Sequence, residues 1–282
     1  MNELQGLGTA LITPFKADKS VDYEALARLL DTQLTGSVDY IVVLGTTGEA
    51  ATMTEKEREE VLTFIRKYVN GRLPLVLGVG GNCTAAVCES LRTMDLAGFE
   101  AILSVCPYYN KPNQEGLFQH FCAVAEASPI PVILYNVPGR TGVNLLPETV
   151  MRIYEAHPDK ILGIKEASGN IEQRKHLIDL AKSKLVVISG EAGIACEVME
   201  AGGAGLISVA SNAFPEDFYD IVHKKDQVKQ AKYAEMIKLL FAEGNPVGIK
   251  AVLAQKGIIQ NYLRLPLVPA SQELQAKIAA NI

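Results

Sequence analysis

The sequence contains no tryptophan, only four histidines, and five cysteines without a CxxC pair. The histidines form no HxH or HxxxH pair, so a metal site built on them is not expected. An odd number of cysteines without CxxC spacing suits reduced thiols better than a disulfide framework. These shortages exclude the disulfide-rich secreted domains and the zinc-binding modules.

Long apolar runs and blocks of like charge are also absent. No window approaches the roughly 18 consecutive apolar residues of a membrane-spanning helix. The formal net charge is −5 without a basic stripe, which argues against a nucleic-acid surface. The segment Met1 to Phe15 carries the acidic Glu3 and no basic stretch, unlike a secretory signal. We therefore expect a cytoplasmic protein that binds neither membrane nor nucleic acid.

The 282 residues instead show a regular alternation of short β-type runs and segments with helical period. Most of the runs are almost continuously apolar, as in parallel strands that are covered on both faces. Eight such strand–helix units predict an α/β fold, a (β/α)8 TIM barrel. A doubly wound open sheet is the alternative, disfavoured because Thr13-Pro14-Phe15 replaces a GxGxxG turn after the first run. The predicted strands are Thr9–Phe15, Tyr40–Gly45, Leu75–Gly80, Ala101–Pro107, Val132–Val137, Ile161–Lys165, Leu185–Ser189 and Gly205–Val209.

The last part of the chain has only helical periodicity. After about residue 215 the pattern continues through Asp226–Phe241, Val247–Gln255 and Gln272–Ala280. We expect a catalytic barrel over residues 1–224 and a small C-terminal helical extension over residues 225–282. Earlier in the chain, Thr54 and Glu57 form a capping box that predicts a helix start after the second strand.

Lys165 ends the apolar run that forms the predicted sixth strand. A buried ammonium loses hydration, which disfavours its charged form, and only a neutral amine attacks a carbonyl. A strand-end lysine whose stem merely covers apolar surface is the simpler alternative. A second lysine in apolar surroundings, Lys250, lies in the helical extension, where we expect it to be away from the barrel mouth.

Reactive groups of a (β/α)8 barrel gather at the carboxyl ends of its strands. Alternation along the strands places Ile161, Gly163 and Lys165 on one face and Tyr135 on the neighbouring strand. Gly163 would then leave space beneath the lysine, and Tyr135 could point into the same volume. The residues alone also allow simpler interpretations: helix capping, core packing of tyrosines, and a solvated arginine. The further candidates at strand ends are Thr46, Thr47, Tyr109, Arg140 and Gly190.

Two motifs resemble signatures of the dihydrodipicolinate synthase/N-acetylneuraminate lyase family. GTTGE at residues 45–49, with Glu57 following, is similar to the first signature. Tyr135-Asn136-Val137-Pro138, followed by Gly163-Ile164-Lys165-Glu166-Ala167, resembles the second, Schiff-base signature. The likeness runs from Thr9 to about Leu267.

The resemblance implies a mechanism in which Lys165 forms a Schiff base with pyruvate. It implies that Tyr135 transfers protons, with Thr46 and Tyr109 completing a hydroxyl relay, and that Thr47 and Ile207 contact pyruvate. Gly190 is implied as a further substrate-binding position. No metal or organic cofactor is implied. In the family, the tyrosine that matches Tyr109 comes from a neighbouring subunit, which implies a homo-oligomer with a dimer as its smallest complete unit. We expect a tetramer built from dimers, with a dimer as the alternative.

Pro138-Gly139-Arg140-Thr141-Gly142 is similar to the synthase branch, whose arginine holds a carboxylate of the second substrate. The branch joins pyruvate to L-aspartate 4-semialdehyde in lysine and diaminopimelate biosynthesis, as a lyase of the class I aldolase type. Another pyruvate-dependent aldolase, for a 2-keto-3-deoxy sugar acid or N-acetylneuraminate, is the alternative. A non-catalytic 2-keto acid sensor is a second one.

Two departures from the family pattern concern regulation and the second substrate. Members that lysine inhibits use charged side chains beside an asparagine and a tyrosine. Asn82 and Tyr108 match, but the charged positions read Glu55, Arg58 and Ala86, so we expect weak or absent inhibition by L-lysine. Separately, Glu191-Ala192 stands where many synthases carry two acidic residues.

Overall fold

Eight parallel strands pair in sequence order and close into a barrel, because the eighth strand pairs with the first. This computed structural model describes residues 4–282, so Glu3 and the segment 1–3 lie outside it. The predicted (β/α)8 fold is confirmed. The strands are β1 Gly6–Ala10, β2 Tyr40–Val43, β3 Leu75–Gly78, β4 Ala101–Val105, β5 Val132–Asn136, β6 Ile161–Glu166, β7 Val186–Ser189 and β8 Gly205–Ser208.

Helices surround the barrel and continue beyond it. The capping box at Thr54 is present, with the hydroxyl accepting from the Glu57 N–H and the Glu57 carboxylate from the Thr54 N–H. The α-helices are α1 Tyr23–Thr35, α2 Glu55–Val69, α3 Thr84–Thr93, α4 Gln114–Ala127, α5 Pro138–Thr141, α6 Pro147–Ala156, α7 Ile171–Ala181, α8 Ala195–Glu200, α9 Pro215–His223, α10 Gln227–Lys232, α11 Ala234–Phe241, α12 Val247–Gln255 and α13 Gln272–Ala279. None of the helices within residues 4–282 is both long and apolar enough to cross a membrane.

The first strand lies earlier than the sequence predicts. The ladder includes Gly6 to Ala10, whereas Leu11 to Phe15 continues as irregular buried chain. The Asn212 side chain explains the change, because its Oδ1 accepts from the Ile12 N–H at 3.1 Å and its Nδ2 donates to the Ala10 carbonyl at 2.7 Å. A side chain therefore satisfies the backbone where a strand would otherwise continue.

The helical extension follows the predicted segments, with one difference. The helix expected over Asp226–Phe241 is divided into α10 and α11 at Tyr233. The Tyr233 ring is buried against Phe214 and Phe218, with centroid distances of 5.0 and 5.2 Å, and its hydroxyl donates to Asp217. The division of the chain into residues 1–224 and 225–282 stays a prediction.

Two cores pack the barrel, one inside the sheet and one between sheet and helices. Tyr40 lies in the inner core with 0% exposure. A Cβ at Gly8 would lie 2.3 Å from the Tyr40 ring, so only glycine leaves room for that ring. Because side chains fill the interior of the barrel, we expect a ligand-binding site at the ends of the strands.

Candidate active site

Lys165 and Tyr135 occupy neighbouring strands at the carboxyl end of the barrel. They are register partners in the β5–β6 ladder, and the Lys165 Nζ lies 4.2 Å from the centroid of the Tyr135 ring. Each of the two residues is only 8% exposed. Within residues 4–282 the ammonium group of Lys165 makes no ion pair with a carboxylate. An amine and a phenol thus share one sheltered volume at the carboxyl end of the barrel.

The side chains of β6 that precede Lys165 do not alternate strictly between the two faces of the sheet. The β5–β6 register shifts between Val132 and Ile133, so that Val132 pairs with Ile161 while Ile133 pairs with Gly163. The extra residue changes the phase, and Ile161 packs in the outer core instead of sharing a face with Lys165. The prediction that these residues share one face is therefore wrong for Ile161.

Gly163 allows β7 to approach β6 closely. A Cβ at Gly163 would lie 2.3 Å from both the Cγ2 and the carbonyl oxygen of Val186. Since the contact includes backbone, a larger residue would push β7 away from β6. The close approach of β7 to β6 therefore explains Gly163, rather than the expected space beneath Lys165.

Gly190 and Ile207 lie where the sequence predicts substrate-binding positions. A Cβ at Gly190 would lie 3.2 Å from the Lys165 Cε and 2.6 Å from the Ala167 Cβ, so this glycine leaves room for the lysine side chain. Ile207 is 1% exposed and belongs to the inner core together with Tyr135. Gly190 therefore lies beside the Lys165 side chain, and Ile207 lies in the inner core that also contains Tyr135.

The loop after β2 carries Thr46 and Thr47 in a 3-10 turn over Thr46–Gly48. Thr46 is exposed, whereas Thr47 is 3% exposed and its Oγ1 accepts a hydrogen bond from the Asn245 Nδ2 at 3.0 Å. Asn245 precedes α12, and sequence reasoning did not predict this hydrogen bond, because nothing in the local pattern indicates a contact with the β2 loop. The extension thus holds one threonine of the loop in place.

A buried ion pair gives the same loop a second connection to the extension. Lys250 on α12 is 0% exposed, pairs with the Glu49 carboxylate and donates to the Tyr262 carbonyl at 3.0 Å. Burial lowers the pKa of Lys250 to about 8, although Glu49 opposes the shift. The expectation that Lys250 lies away from the barrel mouth is wrong, because folding brings α12 against the GTTGE loop.

Arg140 lies on α5, the short helix after β5, and its side chain is exposed. In the described part of the chain its guanidinium forms neither a hydrogen bond nor an ion pair, so all of its donors are free. The helix ends at Gly142, whose φ of +75° suits glycine. Arg140 can therefore offer a planar fork to an anion at the barrel mouth.

Tyr109 lies in the loop after β4, outside the buried volume that Lys165 and Tyr135 share. It is 89% exposed and has a φ of 76°, an uncommon conformation for a bulky residue. Between residues 4 and 282 no hydrogen bond joins the hydroxyls of Thr46, Tyr109 and Tyr135. Within the described part of one chain the three hydroxyls therefore form no hydrogen-bonded relay.

Asn82 and Tyr108 lie beside this exposed tyrosine. The Asn110 Nδ2 donates to the Asn82 carbonyl at 2.8 Å, which holds the loop after β4 against that after β3. Tyr108 is 42% exposed and Ala86 is exposed. The expected weak response to L-lysine stays a prediction.

No group of three or more histidine, cysteine, aspartate and glutamate side chains in residues 4–282 could hold a metal ion. The candidate site contains an amine, hydroxyls and a guanidinium. A buried amine beside a phenol at the carboxyl end of a (β/α)8 barrel can condense with a carbonyl group and transfer the protons of that reaction.

The model of the Dihydrodipicolinate synthetase family matches residues 3–282. The chain belongs to this family. It is 50% identical over 273 residues to the 4-hydroxy-tetrahydrodipicolinate synthase of Parabacteroides distasonis, covering 94% of this chain and 92% of that protein. Two solved structures are also similar. One is the chloride-inhibited dihydrodipicolinate synthase of Acinetobacter baumannii in complex with pyruvate, with 38% identity, a TM-score of 0.94 and coverage of 99% and 97%. The other is described as the first monomeric dihydrodipicolinate synthase variant, with 39% identity, a TM-score of 0.93 and coverage of 98% and 96%.

Proposed function

We propose that this chain is a 4-hydroxy-tetrahydrodipicolinate synthase, a lyase that condenses pyruvate with L-aspartate 4-semialdehyde in lysine and diaminopimelate biosynthesis. The observation that carries the proposal is the buried pair of Lys165 and Tyr135, register partners with the amine 4.2 Å from the phenol ring. The named relatives support the substrates, since they bear the name of this synthase over nearly their whole length.

The reaction begins on Lys165. Its neutral amine attacks the ketone carbon of pyruvate, and loss of water gives an iminium that links the lysine to the substrate. The positive nitrogen acidifies the pyruvate methyl group, which loses a proton to give a nucleophilic enamine. Tyr135, beside the amine, donates and accepts the protons of these steps. Positioned proton transfer of this kind contributes about 10²- to 10⁴-fold in rate.

The surrounding residues hold pyruvate and connect the hydroxyls to solvent. Thr47 binds the pyruvate carboxylate, while Gly190 and Ile207 shape the space beside the iminium. Thr46 and Tyr109 complete the hydroxyl relay from Tyr135, with Tyr109 supplied by a neighbouring copy. The 89% exposure of Tyr109 supports its reaching across to another subunit.

Arg140 selects the second substrate. Its free guanidinium binds the carboxylate of the semialdehyde through two parallel hydrogen bonds, for which lysine is a poor substitute. The enamine carbon then attacks the aldehyde carbon, forming the new C–C bond. The amino group of the semialdehyde attacks the iminium carbon, releases Lys165 as a free amine and closes the ring.

The assembly is a homo-oligomer in the cytoplasm, a tetramer built from dimers. The dimer is the smallest unit in which Tyr109 meets Tyr135. A solved relative described as the first monomeric variant implies that oligomers are usual among such synthases. The absence of a membrane-crossing helix in residues 4–282 fits this location.

Substitution of Arg140 tests the choice of the second substrate. We expect Arg140→Ala to raise the KM for L-aspartate 4-semialdehyde about 10- to 100-fold, since a charge-assisted hydrogen bond contributes about 1.5–3 kcal/mol. The KM for pyruvate should stay close to that of the wild type. Steady-state kinetics with each substrate varied in turn measures both values.

Arg152→Ala is the matched control, because Arg152 is a surface arginine on α6 that pairs with Glu115 at 2.9 Å. Its kinetics should equal those of the wild type. Turnover of a keto-deoxy sugar acid or N-acetylneuraminate by the wild type, without turnover of the semialdehyde, would overturn the proposed function.

A further inference from the structure

Asn136 and Glu166 directly follow Tyr135 and Lys165 in their strands, and they too are register partners. Because side chains alternate, both point away from the barrel interior towards the helices. Each residue is 0% exposed, and the Asn136 Nδ2 donates to the Glu166 Oε2 at 2.9 Å. A polar pair thus connects the two strands one residue beyond the amine and the phenol.

The same pair holds the segment that carries Arg140. The Asn136 Oδ1 accepts from the Leu145 N–H at 3.0 Å, and the Asn136 Nδ2 also donates to the Asn144 Oδ1 at 2.8 Å. The other carboxylate oxygen, Glu166 Oε1, accepts from the Ser168 N–H at 2.7 Å. The far end of the segment between Val137 and Asn144 is therefore fixed to Asn136 on the strand that bears Tyr135. Asn136 in turn bonds to Glu166 on the strand that bears Lys165.

A buried carboxylate here must be compensated by hydrogen bonds or positive charge, since an unpaired one is costly. Arg174 on α7 is 0% exposed, and its Nη2 donates to the Glu166 carbonyl at 3.2 Å and to the Glu191 Oε2 at 2.9 Å. Gln173 donates to the Glu166 Oε2 at 3.3 Å. Both oxygens of Glu166 are acceptors in this network, so a neutral amide cannot replace the carboxylate without leaving a donor unpaired.

We propose that Glu166 and Asn136 are positioning residues, which set the placement of the Lys165 amine relative to Tyr135 and anchor the Arg140 loop. The inference rests on the Schiff-base function proposed above. Reacting groups tolerate little displacement, and a shift of about 1 Å can cost about 100-fold in rate. The network lies one residue from both reacting groups, where small changes in strand register act on them directly.

Glu166→Gln tests the proposal, because the amide keeps the shape but has only one acceptor oxygen. We expect the rate of borohydride-trapped adduct formation with pyruvate to fall about 10- to 100-fold, and the KM for the semialdehyde to rise. Asp39→Asn is the matched control at the opposite end of the barrel. Its carboxylate accepts from the Leu7 N–H at 2.6 Å and pairs with His223 at 2.7 Å. The control should lower the melting temperature while leaving the trapping rate unchanged.

Combining Asn136→Asp with Glu166→Gln exchanges the amide and the carboxylate between the two positions. This double variant tests whether the hydrogen bond between them restores the trapping rate. The new amide donates to the new carboxylate, while Asn144 can turn its own amide to match. The combined variant should recover part of the trapping rate lost in Glu166→Gln. A wild-type rate in Glu166→Gln would overturn the inference, as would an equal loss in Asp39→Asn. Failure of the wild type itself to form an adduct would instead reject the Schiff-base function.

Discussion

At the scale of single residues, His120 shows how burial controls a charge outside the site. The ring lies between α3 and α4, 3% exposed, with its Nδ1 2.9 Å from the Thr84 Oγ1 and its edge against Phe121. Burial lowers the pKa of His120 to about 4. The folded protein therefore keeps this imidazole neutral under conditions in which an exposed histidine is charged.

The depressed pKa of His120 makes folding stability dependent on pH in a defined window. The unfolded chain takes up the proton near its ordinary pKa of about 6.5, but the folded chain does so only near pH 4. Stability is therefore fully present above about pH 6.5 and is lost progressively as the pH falls towards 4. Urea unfolding of the wild type and of His120→Gln should show this loss in the wild type and a flatter dependence in the variant. The account would be contradicted if the difference in free energy of unfolding between the wild type and His120→Gln stayed constant from about pH 7 to pH 4.

The two buried lysines mark the limit of residue-level prediction. Both Lys165 and Lys250 follow apolar residues. Strand alternation predicted Tyr135 near Lys165, whereas nothing in the sequence pattern indicated the neighbour of Lys250. Folding places Glu49 beside Lys250, so that amine is part of an ion pair, whereas Tyr135 is the neighbour of Lys165. Contacts between distant parts of the chain decided the difference, and they leave no local signature.

At the scale of elements, the apolar runs predicted all eight strands, and the capping box placed the start of α2 correctly. The failures lie where a side chain or an extra residue replaces regular pairing. Asn212 satisfies the backbone after β1, and the shift of register in β6 moves Ile161 to the outer core. Strict period-two alternation contains no information on either event.

The hydrogen bonds that Asn245 and Asn136 donate could not be predicted from the sequence, for a related reason. Asparagine near a strand end or helix start is common in turns and caps, so its type alone does not predict a partner. Here Asn245 donates to Thr47, and Asn136 donates to Glu166. The candidate reacting residues could be found from strand ends, while the residues that hold them required the folded chain.

At the scale of the whole molecule, the hydroxyl relay that we propose needs a second copy of the chain. Lys165 is buried in its own barrel, but Tyr109 is 89% exposed on the outside. A second copy that offers its own Tyr109 would complete the hydroxyl relay. In the proposed dimer, two-fold symmetry would give two identical sites, each with one lysine from one protomer and one Tyr109 from its partner.

Mixing two inactive variants tests this sharing of sites. Lys165→Ala lacks the amine, and Tyr109→Phe lacks the hydroxyl that we propose the partner supplies. Co-refolding the two should create mixed dimers with one intact site, so about a quarter of all sites regain activity under random pairing. Each variant refolded alone serves as the control. Activity of the mixture no greater than the sum of the separate variants would show that Tyr109 acts within its own chain.

Capture of the pyruvate adduct tests the central claim most directly, namely that Lys165 is the nucleophile. The wild type is incubated with pyruvate, reduced with borohydride and digested, and the peptides are mapped by mass spectrometry. We expect a single stable modification on Lys165, absent without pyruvate and absent in Lys165→Ala. A modification on Lys250 or on another lysine, or no pyruvate-dependent modification, would contradict the mechanism.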